Sequence, residues 1–322
     1  MNGTDDNRRA VDPITLSTVW HGMQSIAREM RHVVDRTAQN YLLAQLHDMA
    51  AGIWDARART VAVPEGPTSM FLSQHFAVEA ILEKFGDDLH PGDIIITNDP
   101  FKGHCNHLPD WGFIRPVFYE DELVFVLLTR GHQLDTGGSF PGGYFANGYD
   151  IHAEGLMIPP IKIYDRGVER SDVLELIWNN VRFPEGVKID NYALMAGLTV
   201  GEKRIHSLLD KYGKQAVLDC VEEMFDRMEA NVRATISEMP DGTYYGESAT
   251  DDDGTTLDEQ VWVRCDATIA VDEMTLDFTK SDPQRTGFVN CVLASTYSRA
   301  VAGSFLFFDP EYSPFHNAGS MR

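Results

Sequence analysis

Two imidazoles and a carboxylate fall close together in the middle of the chain. Asn98-Asp99-Pro100 leads into His107-Leu108-Pro109-Asp110, an apolar run follows, and then comes Gly131-His132-Gln133-Leu134-Asp135-Thr136-Gly137-Gly138. Zinc, manganese and iron accept imidazole nitrogen and carboxylate oxygen together, and a catalytic site leaves one coordination position open for water or substrate. His107, Asp110 and His132 are therefore candidate metal ligands, with Asp48 as a possible fourth. The competing reading is that these polar groups only hydrogen-bond loop backbone.

Such a site needs strands to bring its parts together. Ile94 to Thr97, Phe113 to Tyr119 and Leu123 to Thr129 are apolar and rich in strand formers, with Glu120-Asp121-Glu122 as a hairpin turn. The candidate ligands lie at the ends of these strands. Upstream, Asp12-Pro13 reads as a helix cap followed by proline at the first helical position, and Leu16, Val19, Trp20, Met23, Ile26, Ala27, Met30 and Val33 recur at helical spacing. Met49 to Trp54 and Thr60 to Val63 form an expected hairpin, and Phe71 to Phe85 an expected helix ending at Gly86. From Ser171 to Met239 the pattern is helical. Val261-Trp262-Val263, Thr268-Ile269-Ala270 and Leu276-Asp277-Phe278 then read as a β-meander turning at Asp272-Glu273.

The expected fold class is α+β: mixed or antiparallel sheets carrying the metal site, a helical layer, and a C-terminal β-meander. The expected divisions are 1–165, 166–240 and 241–322, the last opening a C-terminal region that reads as truncated or split.

Composition narrows the function. The 322 residues are 43% hydrophobic, enough for a sizeable core, and 49 acidic against 27 basic residues give a formal charge of −22. That charge, with no basic patch, argues against nucleic acid and anionic membranes as partners. The polar N-terminus and the lack of a long apolar run lead to an expected cytoplasmic location. Four widely spaced cysteines suggest neither a zinc ribbon nor a disulfide framework.

Other motifs carry weaker signals. Gly137-Gly138 and Pro141-Gly142-Gly143 make a glycine-rich loop that either lets backbone approach a substrate or forms a tight turn; Tyr144, Phe145 and Tyr149 follow, as pocket wall or core. No P-loop or strand-linked dinucleotide fingerprint occurs. Asp251-Asp252-Asp253-Gly254 lacks the rest of a calcium loop and reads as a solvated turn. Cys105, beside His104 and His107, has no identifiable third partner.

Taken in order, the motifs resemble the hydantoinase B/oxoprolinase family. They are Asp12-Pro13-Ile14-Thr15-Leu16, the 86–93 turn, Asn98-Asp99-Pro100, His107-Leu108-Pro109-Asp110, Gly131-His132 with Asp135-x-Gly137-Gly138, and Glu154 through Pro160. Asn179-Asn180-Val181-Arg182, Asp252-Asp253-Gly254, Asp277-Phe278-Thr279 with Pro283-Gln284, and Asn290-Cys291 continue it across nearly the whole chain. The resemblance implies a catalytic subunit of an ATP-dependent cyclic amide hydrolase. Its expected partner is a hydantoinase A-type ATPase that phosphorylates the substrate carbonyl. It also implies a divalent metal (Mn, Fe or Zn) on His107, Asp110 and His132, with Asp135 or Asp48 as base or orienting group and Glu154 as a weaker candidate.

Two other readings belong beside it. One is the alpha-type subunit of an acetone or acetophenone carboxylase, toward which Gly103-His104-Cys105-Asn106-His107 and the aromatic 140–149 stretch lean. The other is a non-catalytic scaffold subunit. The family is typically longer than this chain, which implies a fragment or a split subunit and leaves the apolar 289–308 segment underpacked.

Overall fold

The computed structural model describes residues 11–145, 147–307 and 316–321. The polar stretch before Val11, Phe308 and Arg322 lie outside the described residues.

A seven-stranded antiparallel sheet forms the frame. Its strands are β1 (Met49–Asp55), β2 (Thr60–Ala62), β3 (Ile94–Thr97), β4 (Asp110–Tyr119), β5 (Glu122–His132), β6 (Ile161–Asp165) and β7 (Val168–Glu169), in the order β2-β1-β5-β4-β3-β6-β7. The central strands read as continuous apolar runs because both faces are covered. Side chains alternate between the two covers: Ile94, Ile96, Phe113, Phe125 and Leu127 face one core, while Ile95, Ile114, Val126 and Leu128 face the other.

Long helices close the first face: α1 (Pro13–Thr37), α5 (Pro184–Tyr212) and α6 (Lys214–Ser237), with the short α2 (Tyr41–Ala44) and α4 (Ser171–Trp178). Helix α3 (Gln74–Phe85) covers the second face through Ala77, Val78 and Ile81. Asp12 caps α1 by accepting the Thr15 N–H at 2.8 Å, and Pro13 opens it. The buried stripe of α1 ends on Val34 rather than Val33, and Trp20 is only partly buried. The helical segment expected from 171–239 shares one core with the sheet.

A second sheet, β8 (Gly242–Thr250), β9 (Val261–Ala270) and β10 (Glu273–Asp277), hangs from α6 through Ile269 against Met228, Val232 and Ile236. It is the expected meander, built from other strands. Residues 261–270 are one strand rather than two, and the first strand is β8, whose residues are exposed on both faces and so lack any apolar period. Strands β6 and β7 also escaped the sequence reading.

Asp253, expected in a solvated turn, is 4% exposed. Its carboxylate accepts backbone N–H groups of Thr255, Thr256 and Gly287, and so ties two loops together. Helix α7 (Leu293–Ser304) docks on the 67–72 turn, where Ser298 Oγ donates to the Thr68 carbonyl at 2.7 Å. Leu293, Leu306 and Phe307 remain exposed.

Candidate metal centre

Strand register builds the centre. Asp110 opens β4 and His132 closes β5, and the two are direct cross-strand partners. The Glu120-Asp121 turn, with both residues at positive φ, joins the strands at the far end, and a shift between Val117 and Phe118 sets the register that runs on to Asp110 and His132. Asp110, expected in a turn, is therefore a strand residue, and the approach of its side chain to His132 follows from pairing.

The ligand atoms converge. His107, Asp110 and His132 each offer one donor atom, all lying within 4.8 Å of one another. His107 Nε2 stands 3.0 Å from Asp110 Oδ2, and His132 Nδ1 stands 3.1 Å from Asp110 Oδ1. Asp110 and His132 are buried and His107 is partly open, so the group faces outward on one side only. Asn106, which the sequence reading did not single out, donates to Asp110 Oδ2.

Electrostatics follow from this packing. Burial works against the Asp110 carboxylate, but the His107 and His132 imidazoles outweigh it and hold the group well below the usual carboxylate range. For His132, burial favours the neutral ring, and the hydrogen bond and charge of Asp110 prevail to push its pKa up.

Backbone clamps hold His132 still. Its N–H donates to the Asp48 carbonyl at 3.1 Å, its carbonyl accepts from Asn40 Nδ2 at 3.2 Å, and the next residue, Gln133, donates its N–H to Pro109 at 2.9 Å. On the His107 side, Asn98 Nδ2 donates to the Leu108 and Leu156 carbonyls and Asn98 Oδ1 accepts the Ile158 N–H. The Asn98-Asp99-Pro100 motif thus braces the loop that carries His107.

The remaining candidates separate. Asp48 Oδ2 lies 3.7 Å from His132 Nδ1 with its side chain 32% exposed, at the open edge of the triad. Burial, then the negative charge of Asp110, pushes the Asp48 pKa up, partly offset by the two histidines. Glu154 is also pushed up by burial; His107 and a hydrogen bond from the Leu108 backbone oppose the shift, which places this carboxylate beside the His107 loop.

Asp135 is engaged elsewhere. Fully buried, it pairs with Arg182 Nη1 at 2.7 Å and accepts the Arg182 and Gly137 N–H groups. Gly137 packs against the Asn180 carbonyl so closely that a Cβ would overlap it. Asp135-Thr136-Gly137-Gly138 and Asn179-Asn180-Val181-Arg182 are two halves of one structural junction, and the base role expected for Asp135 does not fit a carboxylate so occupied.

Cys105 is also accounted for. It is fully buried, its Sγ lies 3.2 Å from Arg130 Nη2, and burial pushes its thiol up, against both nucleophile and ligand roles.

The donor set fits a divalent ion. His132 Nε2 lies 2.9 Å from the Gly142 carbonyl, which only accepts, so an ion that displaced the Nδ1 proton now shared with Asp110 would meet a ring whose other proton is held on Nε2. Two nitrogens and a carboxylate with an open side match manganese, iron or zinc.

Comparison with known proteins agrees with this reading of the fold. The crystal structure of ATP-dependent caprolactamase from Pseudomonas jessenii superposes with a TM-score of 0.91 at 32% identity, covering 98% of this chain and 53% of that one. In sequence, caprolactamase subunit beta of P. jessenii is 32% identical over 97% of this chain and 53% of its own length. The 5-oxoprolinase of Saccharomyces cerevisiae is 27% identical over 89% of this chain and 23% of its own. A nucleotide-free acetone carboxylase shares the fold, with a TM-score of 0.84 at 20% identity over 96% of this chain and 42% of that one. The chain thus spans about half the length of the caprolactamase subunit. Among the described residues no helix is long and apolar enough to cross a membrane. With the family profile matching residues 12–322, the chain belongs to the hydantoinase B/oxoprolinase family.

Proposed function

We propose that this chain carries the metal centre of an ATP-dependent cyclic amide hydrolase. The observation that carries the reading is the convergence of His107, Asp110 and His132 at one end of a hairpin whose register makes two of them partners. Likeness to the ATP-dependent caprolactamase over nearly the whole chain supports the amide substrate class and the use of ATP. The partner in this reading is a hydantoinase A-type ATPase subunit that phosphorylates the amide oxygen. A name that makes the relative one subunit of several supports that division.

His107 Nε2, an Asp110 oxygen and His132 Nδ1 would hold the ion. A divalent ion there supplies Lewis acidity and lowers the pKa of water toward about 7. An amide is a poor electrophile; once its oxygen is phosphorylated, water adds to the carbon, the ring C–N bond breaks as the nitrogen takes a proton, and the acyl phosphate that remains is hydrolysed to carboxylate and phosphate. Asp48 Oδ2, at the open edge, takes the proton of the attacking water. Glu154, beside the His107 loop, is the second carboxylate available to shuttle it. Asp135 stays with Arg182 and holds the junction behind the site.

The test joins this chain to such an ATPase subunit and supplies cyclic amides with ATP. Ring opening coupled to ATP cleavage, lost on chelation and in Asp48→Asn, is the expected result. Incorporation of labelled bicarbonate into a ketone, without ring opening, would replace the hydrolase with the carboxylase. Metal-free protein that still supports turnover would remove the metal from the account.

A further inference from the structure

We propose that the glycine loop carrying Tyr144 sets His132 in its metal-holding orientation, with Tyr144 as a positioning residue. The inference rests on the metal reading above and adds a part to it. The Tyr144 ring lies 7° from parallel to the His132 ring at 5.4 Å between centroids, and meets His107 edge-on at 5.7 Å. One aromatic ring therefore touches both imidazoles of the triad. Tyr144 is nevertheless 62% exposed, so core packing does not explain where it sits.

The loop holds the same histidine a second time. The Gly142 carbonyl accepts from His132 Nε2 at 2.9 Å, two residues before the stacked ring. The hydrogen bond fixes which nitrogen carries the proton; the stack fixes the plane in which the other nitrogen points. Together they restrict both freedoms of an imidazole.

The loop is seated where it can do this. Gly142 and Gly143 have φ of +79° and +72°, a region that side chains rarely adopt, and a Cβ on Gly143 would overlap the Pro109 ring. Pro109 lies between His107 and Asp110 in sequence. The loop thus rests on the segment that carries two ligands and clasps the third. Phe288 also meets Tyr144 edge-on, at 6.1 Å and 76°, a contact made from the C-terminal region.

The test uses metal-stripped protein titrated with Mn2+, followed by the paramagnetic signal of free ion, and with Co2+, followed by its visible absorption. Tyr144→Ala is expected to weaken Mn2+ binding about tenfold, within the range for groups that orient a ligand, and to shift the Co2+ band. Tyr144→Phe should restore both, since the ring and not its hydroxyl does the positioning. Gly143→Ala should weaken binding at least as much as Tyr144→Ala. Phe145→Ala, on the same loop but stacked on Phe140 at 5.3 Å, should change neither reading. Tyr144→Ala with wild-type affinity and an unshifted Co2+ band would overturn the loop's role and leave the metal centre standing. A wild-type chain that binds neither ion would overturn both.

Discussion

In the seven-stranded sheet every residue of β1, β2 and β3 is buried, whereas in the three-stranded sheet every residue of β8 is exposed except the half-buried Ala249. The difference shows why the candidate centre is where it is. A strand covered on both faces cannot slip by one residue without sending its side chains into the opposite core. Residues such as Ile95 and Ile96, committed to different cores, lock the sheet, and Asp110 and His132 inherit that lock as partners. The three-stranded sheet, anchored by Ile269 on α6, has no such constraint on β8.

Removing a side chain from each sheet tests the contrast. Phe113→Ala, at a fully buried position of β4, should cost about 3–5 kcal/mol in chemical denaturation. A cost near zero would mean that the two faces are not packed as described. Arg182→Ala comes next: it leaves the Asp135 carboxylate buried without its ion-pair partner, and should cost about 2–3 kcal/mol, with part of the penalty relieved by Arg182's own exposure. An equal loss in Arg182→Lys would show that the forked guanidinium, and not charge alone, holds the junction.

Acid should open the second face at α3. Burial lowers His75 from 6.5 to about 4. A depressed histidine binds its proton more readily when unfolded, so its contribution is intact above pH 6.5 and fades as pH falls toward about 4. The loss is on the order of 2–3 kcal/mol, and His75→Phe should flatten that segment of the stability curve. A variant with the wild-type slope would assign the acid sensitivity elsewhere. Smallest of all, Tyr245→Ala on exposed β8 should change stability by no more than about 0.5 kcal/mol, and a larger cost would show that this sheet is packed more tightly than its exposure indicates.

What the sequence made legible follows the same divide. Continuous apolar runs declared β3, β4 and β5, and helical spacing declared α1, because buried faces leave a period. Strand β8 left none, since nothing covers it; β7 is two residues long, and the buried Lys162 interrupts the apolar run of β6. Of the centre, His107, Asp110 and His132 were readable as residue types at strand ends, and Asp48 as a neighbour. The register that makes Asp110 and His132 partners is a property of pairing, so the turn expected at Asp110 proved to be a strand. Asp135 was readable as a carboxylate but not as the partner of Arg182, 47 positions away. The Gly142 carbonyl is backbone and carries no signature at all.

The most direct measurement is the divalent metal content of the purified chain by elemental mass spectrometry, with folded His132→Ala beside it. The account predicts close to one manganese, iron or zinc per chain in the wild type and almost none in the variant. A well-folded wild type without metal, or a variant that keeps it, would contradict the centre built from His107, Asp110 and His132.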